Sequence, residues 1–173
     1  MKIAAAFALV VVMLLAMVLA LGWVQGEFGG SGDPMTGTEQ AYLEFVVSRL
    51  ESGGTNMGNL GYLIANADFE SQDWRMSAYL VINQIQSAFA DVANLAPSER
   101  LQPLQDAAVD ALSHSARFAE LMEEAFKNDS ADVSEEAVQE LIAASNAYAE
   151  ADDLLSEFIE QHATAFSGTV LVS

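Results

Sequence analysis

The stretch EEAVQELIAASNAYAEADDLLSEFIEQHATAF, from Glu135 to Phe166, decides the fold. Ala137, Leu141, Ala144, Tyr148, Ala151, Leu155, Phe158, His162 and Ala165 recur at steps of three and four, the period of one face of an α-helix. Small and large side chains alternate along this face. A neighbouring helix can therefore approach at the small positions while the large ones fill the layers between. Asp132 followed by Glu135 has capping-box spacing and predicts the start of this helix after a polar turn over Asn128 to Asp132.

Working back along the chain, the same grammar repeats. Leu101, Leu104, Ala108, Ala111, Ser115, Phe118, Met122 and Ala125 predict a helix ending near Lys127. It begins between Pro97 and Pro103, because proline is tolerated only in a first turn, and a start at Pro97 would leave a kink at Pro103. Trp74, Ala78, Val81, Ile82, Ile85, Phe89 and Val92 predict another helix, capped by Ser71 and ending before Pro97. Thr36 with Glu39 is a capping box for a first, shorter helix through Tyr42, Phe45, Val46 and Leu50, which Gly53 and Gly54 are expected to stop. Thr55 to Phe69, interrupted by Gly58 and Gly61, reads as a loop with one helical turn. The expected class is all-α, an antiparallel bundle of three long helices plus a shorter first helix over residues 38–166, with a tail at 167–173.

Two segments precede the bundle. Ile3 to Val24 contains no charged side chain, and about 20 such residues cross the ~30 Å apolar core of a bilayer. Residues 1–25 are therefore expected to anchor the chain in a membrane. Trp23 suits the interface, and Lys2 on one side with acids on the other places the C-terminal domain outside the cytoplasm. The alternative is a signal segment cleaved at Ala20-Leu21-Gly22 or Val24-Gln25-Gly26, leaving a secreted protein. Residues 26–37 are rich in glycine and read as a flexible linker. Their Gly29-Gly30-Ser31-Gly32-Asp33 run superficially resembles one calcium-binding glycine-rich repeat, but that motif works only as a stacked array, so a single copy reads as linker.

The 173-residue chain has 25 acidic and 6 basic residues, a net charge of −19. All the acids lie after Gly26, and only five basic residues accompany them: Arg49, Arg75, Arg100, Arg117 and Lys127. Nucleic acid, which is bound by neutralising phosphates, is excluded as a partner. Without cysteine there is no disulfide, thiolate metal site or thiol catalysis.

No catalytic constellation emerges, and the chain is not expected to be an enzyme or to hold a cofactor or metal. Ser113, His114 and Ser115 are adjacent on a helix and point in different directions, so His114 reads as a surface residue beside Asp110. His162 continues the apolar stripe and is the one position from which a cytochrome-like, haem-binding bundle could be built, though Met35 and Met57 lie in glycine-rich segments. A di-iron bundle needs two Glu-x-x-His motifs, and neither histidine has one. A calcium loop starting at Asn128 would put Val133 at its glycine position and Gln139 at its final glutamate.

The densest charge is Glu120, Glu123, Glu124, Asp129, Asp132, Glu135, Glu136 and Glu140, relieved along the sequence only by Lys127. This acidic tip is the candidate surface for a protein partner with a basic face. The functional expectation is a membrane-tethered extracytoplasmic binding, scaffold or accessory module of the cell envelope. The alternative is a bundle that binds a small ligand or cofactor, sensor-like or cytochrome-like.

Overall fold

The computed structural model describes residues 35–162. Among them every regular element is helical: α1 (Gly37–Ala65), α2 (Gln72–Ala93), a 3-10 turn (Glu99–Leu101), α3 (Gln102–Lys127) and α4 (Glu135–His162). The apolar run at 1–25, the linker up to residue 34 and the tail at 167–173 lie outside the described residues. No helix among the described residues is long and apolar enough to cross a membrane.

The local signals explain most boundaries. Thr36 Oγ1 accepts from Glu39 N–H at 3.2 Å while Glu39 Oε2 accepts from Thr36 N–H at 2.9 Å, a complete capping box for α1. Met35 already packs against the core, so the folded part reaches back two residues beyond the helix start. Ser71 Oγ caps α2 through Trp74 N–H. Pro103 sits in the first turn of α3 behind the 3-10 turn, where its missing N–H costs nothing, so the proline starts the helix and does not kink it. At α4 the expected Asp132 cap is replaced by Ser134, whose Oγ accepts from Ala137 N–H at 3.1 Å. Asp132 N–H turns back to Ser130 Oγ, which removes Asp132 from cap position.

The larger correction concerns α1. It is a single 29-residue helix, ~43 Å long, that runs through Gly53 and Gly54 and over most of the expected loop. The bundle therefore has four long helices. Gly53 is buried, and a Cβ built on it would lie 2.5 Å from Tyr148 Oη and 2.6 Å from Leu112 Cδ2. Glycine is needed here for close approach to α3 and α4, and the burial of Met57 and Leu60 further along keeps the chain helical.

Short turns join successive helices, so they alternate in direction. α3 is the central helix: it packs along α4 and α2 and more briefly along α1. Its buried Leu104, Ala108, Ala111, Ser115, Phe118 and Met122 follow the stripe read from the sequence, as do Ala137, Leu141, Ala144, Tyr148, Ala151, Leu155 and Phe158 of α4. Each buried leucine or phenylalanine contributes about 1.5–3 kcal/mol. Tyr148 Oη is buried without a well-formed hydrogen bond, and burial pushes the phenol pKa up, opposed weakly by the nearby Ser115 hydroxyl.

The end of the bundle nearest residue 35 is closed by polar contacts. Glu39 is 7% exposed and accepts from Arg100 Nε at 2.6 Å and from Ser98 Oγ at 2.8 Å, with Arg100 Nη2 on its second oxygen. Arg100 also lies over the Phe158 ring of α4, 5.8 Å from its centroid. One turn along, Tyr42 donates to Gln105 Oε1, and Gln105 Nε2 donates to Val92 O at 2.7 Å, tying α1, α3 and the end of α2 together. Burial, followed by the charge of Asp106, pushes the Tyr42 pKa up to about 12.

Candidate partner-binding surface

The opposite end of the bundle is built around three rings. Phe69, from the α1–α2 turn, and Trp74, at the start of α2, meet Phe126 at the end of α3, with centroids 4.8, 6.1 and 5.0 Å apart and edge-on packing. This apolar cluster brings the α1–α2 turn beside the α3–α4 turn. Arg75 then locks the two: its Nε donates to Phe69 O at 2.8 Å and its Nη2 to Asp129 Oδ1 at 2.8 Å. Asp129 has φ of 53°, the left-handed conformation that often ends a helix, and its N–H and that of Ser130 bond back to Phe126 O and Ala125 O.

The eight candidate acids divide into two sets. Glu120 and Glu136 share Arg117, at 3.1 and 2.7 Å, and both hydrogen bonds raise the guanidinium pKa, that from Glu136 more. Glu123 pairs with Lys127 at 2.7 Å and raises its pKa. Asp129 holds Arg75, and Glu140 lies 2.6 Å from His114 Nδ1. Glu124, Asp132 and Glu135 are exposed and make no ion pair within the described residues. The sequence reading that Lys127 alone relieves this charge is thus corrected. Arg75 and Arg117 also take part, because packing brings Arg75 of α2 to Asp129 and Arg117 of α3 to Glu136 of α4.

The same packing adds acids that the sequence reading missed. Asp68, Glu70 and Asp73 are exposed and belong to the α1–α2 turn and the start of α2, joined to the tip by the Arg75 bridge. Phe69 and Trp74, flanking them, were the available signal, since two aromatic residues beside a turn need a partner to bury against. Asp68 Oδ1 also accepts from Glu70 and Ser71 N–H, which fixes that turn.

His114 lies between Glu140 on α4 and Asp110 on its own helix, with Asp110 at 3.6 Å, as its surface reading expected for Asp110. The His162 side chain is outside the described residues. Among the described residues no group of three histidine or acidic side chains is placed to hold a metal ion. An open groove of about 550 Å³ between α1 and α2 is lined by Ser48, Ser52, Thr55, Gln84 and the Arg49 and Asp91 pair. Arg49 Nε is 3.0 Å from Asp91 Oδ2 but is not aligned with it as a hydrogen bond.

All five cations that follow the apolar run are therefore engaged with carboxylates: Arg49, Arg75, Arg100, Arg117 and Lys127. What the tip offers chemically is the negative charge of its unpaired acids, which can attract a cationic surface. The chain matches no family model, no curated protein and no solved structure.

Proposed function

We propose that this protein is a membrane-tethered, extracytoplasmic binding or scaffold module that engages a basic protein partner through its acidic tip. The observation that carries the reading is the distribution of charge. The cations are consumed by intramolecular pairs. Of the exposed acids left without an ion pair among the described residues, Glu124, Asp132 and Glu135 with Asp68, Glu70 and Asp73 gather around two adjoining turns, while others, including Glu44, Glu99, Glu150, Asp153, Glu157 and Glu160, are spread over the rest of the bundle. These turns lie at the end opposite the one where the chain enters from residue 35. A module tethered by the uncharged run Ile3 to Val24 through a glycine-rich linker would thus present this pair of acidic turns away from the anchor. Long-range attraction of this kind accelerates encounter and weakens as salt shortens the Debye length, ~10 Å at 0.1 M.

The test is cross-linked capture of the tagged full-length protein from its native membrane, alongside a variant carrying Glu70→Gln, Glu124→Gln, Asp132→Asn and Glu135→Gln. The expected outcome is a basic partner recovered by the native protein, reduced several-fold by the variant and by raised salt. A partner whose recovery ignores both would leave the tip merely solvated and the reading wrong. Mass spectrometry of the mature N-terminus tests the tether. A product beginning near Trp23 or Glu27 would make the module secreted.

A further inference from the structure

We propose that the second half of α1, Gly53 to Ala65, is a locally opening unit hinged at Gly53 and Gly54, helical only while it is packed on the rest of the bundle. Gly53, Gly54, Gly58 and Gly61 fall within nine residues of a continuous helix. Each disfavours helix relative to alanine by a factor of about five, and Thr55, Asn56 and Asn59 by a factor of about two to three each. In isolation this stretch would not be helical.

The attachments of the two halves differ in kind. The first half is fastened by the Thr36 and Glu39 capping box, the Arg100 and Ser98 contacts to Glu39, the Tyr42 bond to Gln105 and the Arg49 pair with Asp91. The second half is held by burial of Met57 and Leu60, the close seat of Gly53 against Tyr148 and Leu112, and the bond from Trp74 Nε1 to Leu63 O at 3.1 Å. The open polar groove toward α2 borders both halves, at Ser48 and Ser52 before the hinge and at Thr55 and Asn56 after it. A weak intrinsic helix that depends on packing contributes little free energy of its own against local opening, so this segment opens at a lower cost than a helix of strong formers packed equally well. The hinge falls where the backbone has least resistance to leaving the helix. Opening would uncover Met57 and Leu60 together with the surfaces of the bundle that they cover.

Native-state hydrogen exchange on the detergent-solubilised full-length protein tests this, read peptide by peptide. Amides from Met57 to Ile64 are expected to exchange at least tenfold faster, after correction for intrinsic rates, than those of Ala108 to Met122 in α3. The double variant Thr55→Ala/Asn59→Ala, both at exposed positions, should slow exchange of the 57–64 segment about fivefold to tenfold without slowing α3. Ser48→Ala, an exposed change in the first half, should leave the 57–64 rates unchanged. Equal protection of the two segments in the native protein would overturn the proposal. So would a double variant that slows both segments alike, since exchange would then require global unfolding.

Discussion

Glu39 and Arg100, 61 positions apart, form a two-pronged ion pair at the end of the bundle where the described chain begins. The carboxylate that completes the N-terminal cap of α1 also anchors the segment leading into α3. Arg100 in turn covers Phe158 near the end of α4, so three helix ends are joined through one buried acid.

Removing that acid should be costly. Glu39→Gln keeps the shape but removes the buried carboxylate charge that faces Arg100 and weakens the capping box, and the loss is expected to be about 2–3 kcal/mol. Urea unfolding followed by circular dichroism measures it. The effect should also depend on pH. Arg100 first, then the Thr36 N–H, hold the Glu39 carboxyl well below its ordinary 4.5, against the opposing effect of burial. A depressed folded pKa contributes stability that is complete above the unfolded value and is lost as pH falls toward the folded one. The difference between native protein and variant should therefore be largest above about pH 5 and shrink steadily below it. A gap that stays constant down to about pH 3 would show that the charge is not what Glu39 contributes.

Gly53→Ala should destabilise the bundle although it improves helix propensity by about 1 kcal/mol. The new methyl would meet Tyr148 Oη at 2.5 Å and Leu112 Cδ2 at 2.6 Å, and overpacking of this kind typically costs about 1–3 kcal/mol. Tyr148→Phe removes a buried hydroxyl that lacks a well-formed hydrogen bond, and should itself be neutral or slightly stabilising. Combining the two should recover part of the loss. Additive destabilisation in a double-mutant cycle would place the clash elsewhere.

Leu141→Asp is expected to unfold the domain. Leu141 is buried on the stripe that α4 presents to α3, and the apolar side chains of the core offer the new carboxylate no cation. Burying it unpaired costs several kcal/mol, a large share of a stability that is usually about 5–15 kcal/mol. Loss of the cooperative thermal transition is the expected result, and a retained transition within a few degrees of native would contradict the burial.

Asp129 separates conformation from charge at the tip. Asp129→Asn tolerates the left-handed backbone and removes only an exposed pair with Arg75, so a loss below about 1 kcal/mol is expected. Asp129→Val adds a β-branched side chain at φ of 53° and should lose about 1–2 kcal/mol more. Thermal melts of the two variants side by side give the comparison, and equal melting temperatures would argue against backbone strain at this turn.

The elements that could be read directly are those whose cause is local. The three- and four-residue periods of α2, α3 and α4 correspond to their buried faces, and the Thr36 and Ser71 caps lie within three residues of the groups they satisfy. The acidic tip was legible as a density of charge, but its pairing was not. Arg75 is 54 positions from Asp129, and only the antiparallel order of the helices brings them together.

Sequence alone thus determined an all-helical fold with defined core stripes over the described residues, because amphipathic period and capping are properties of neighbours a few residues apart. Tertiary structure decided that Gly53 and Gly54 continue a helix where local propensity would stop it, since the close seat against Tyr148 and Leu112 is a contact between elements. It also decided which acids remain uncompensated. An ion pair depends on distance in space, and the fold sets that distance between residues that the sequence keeps far apart.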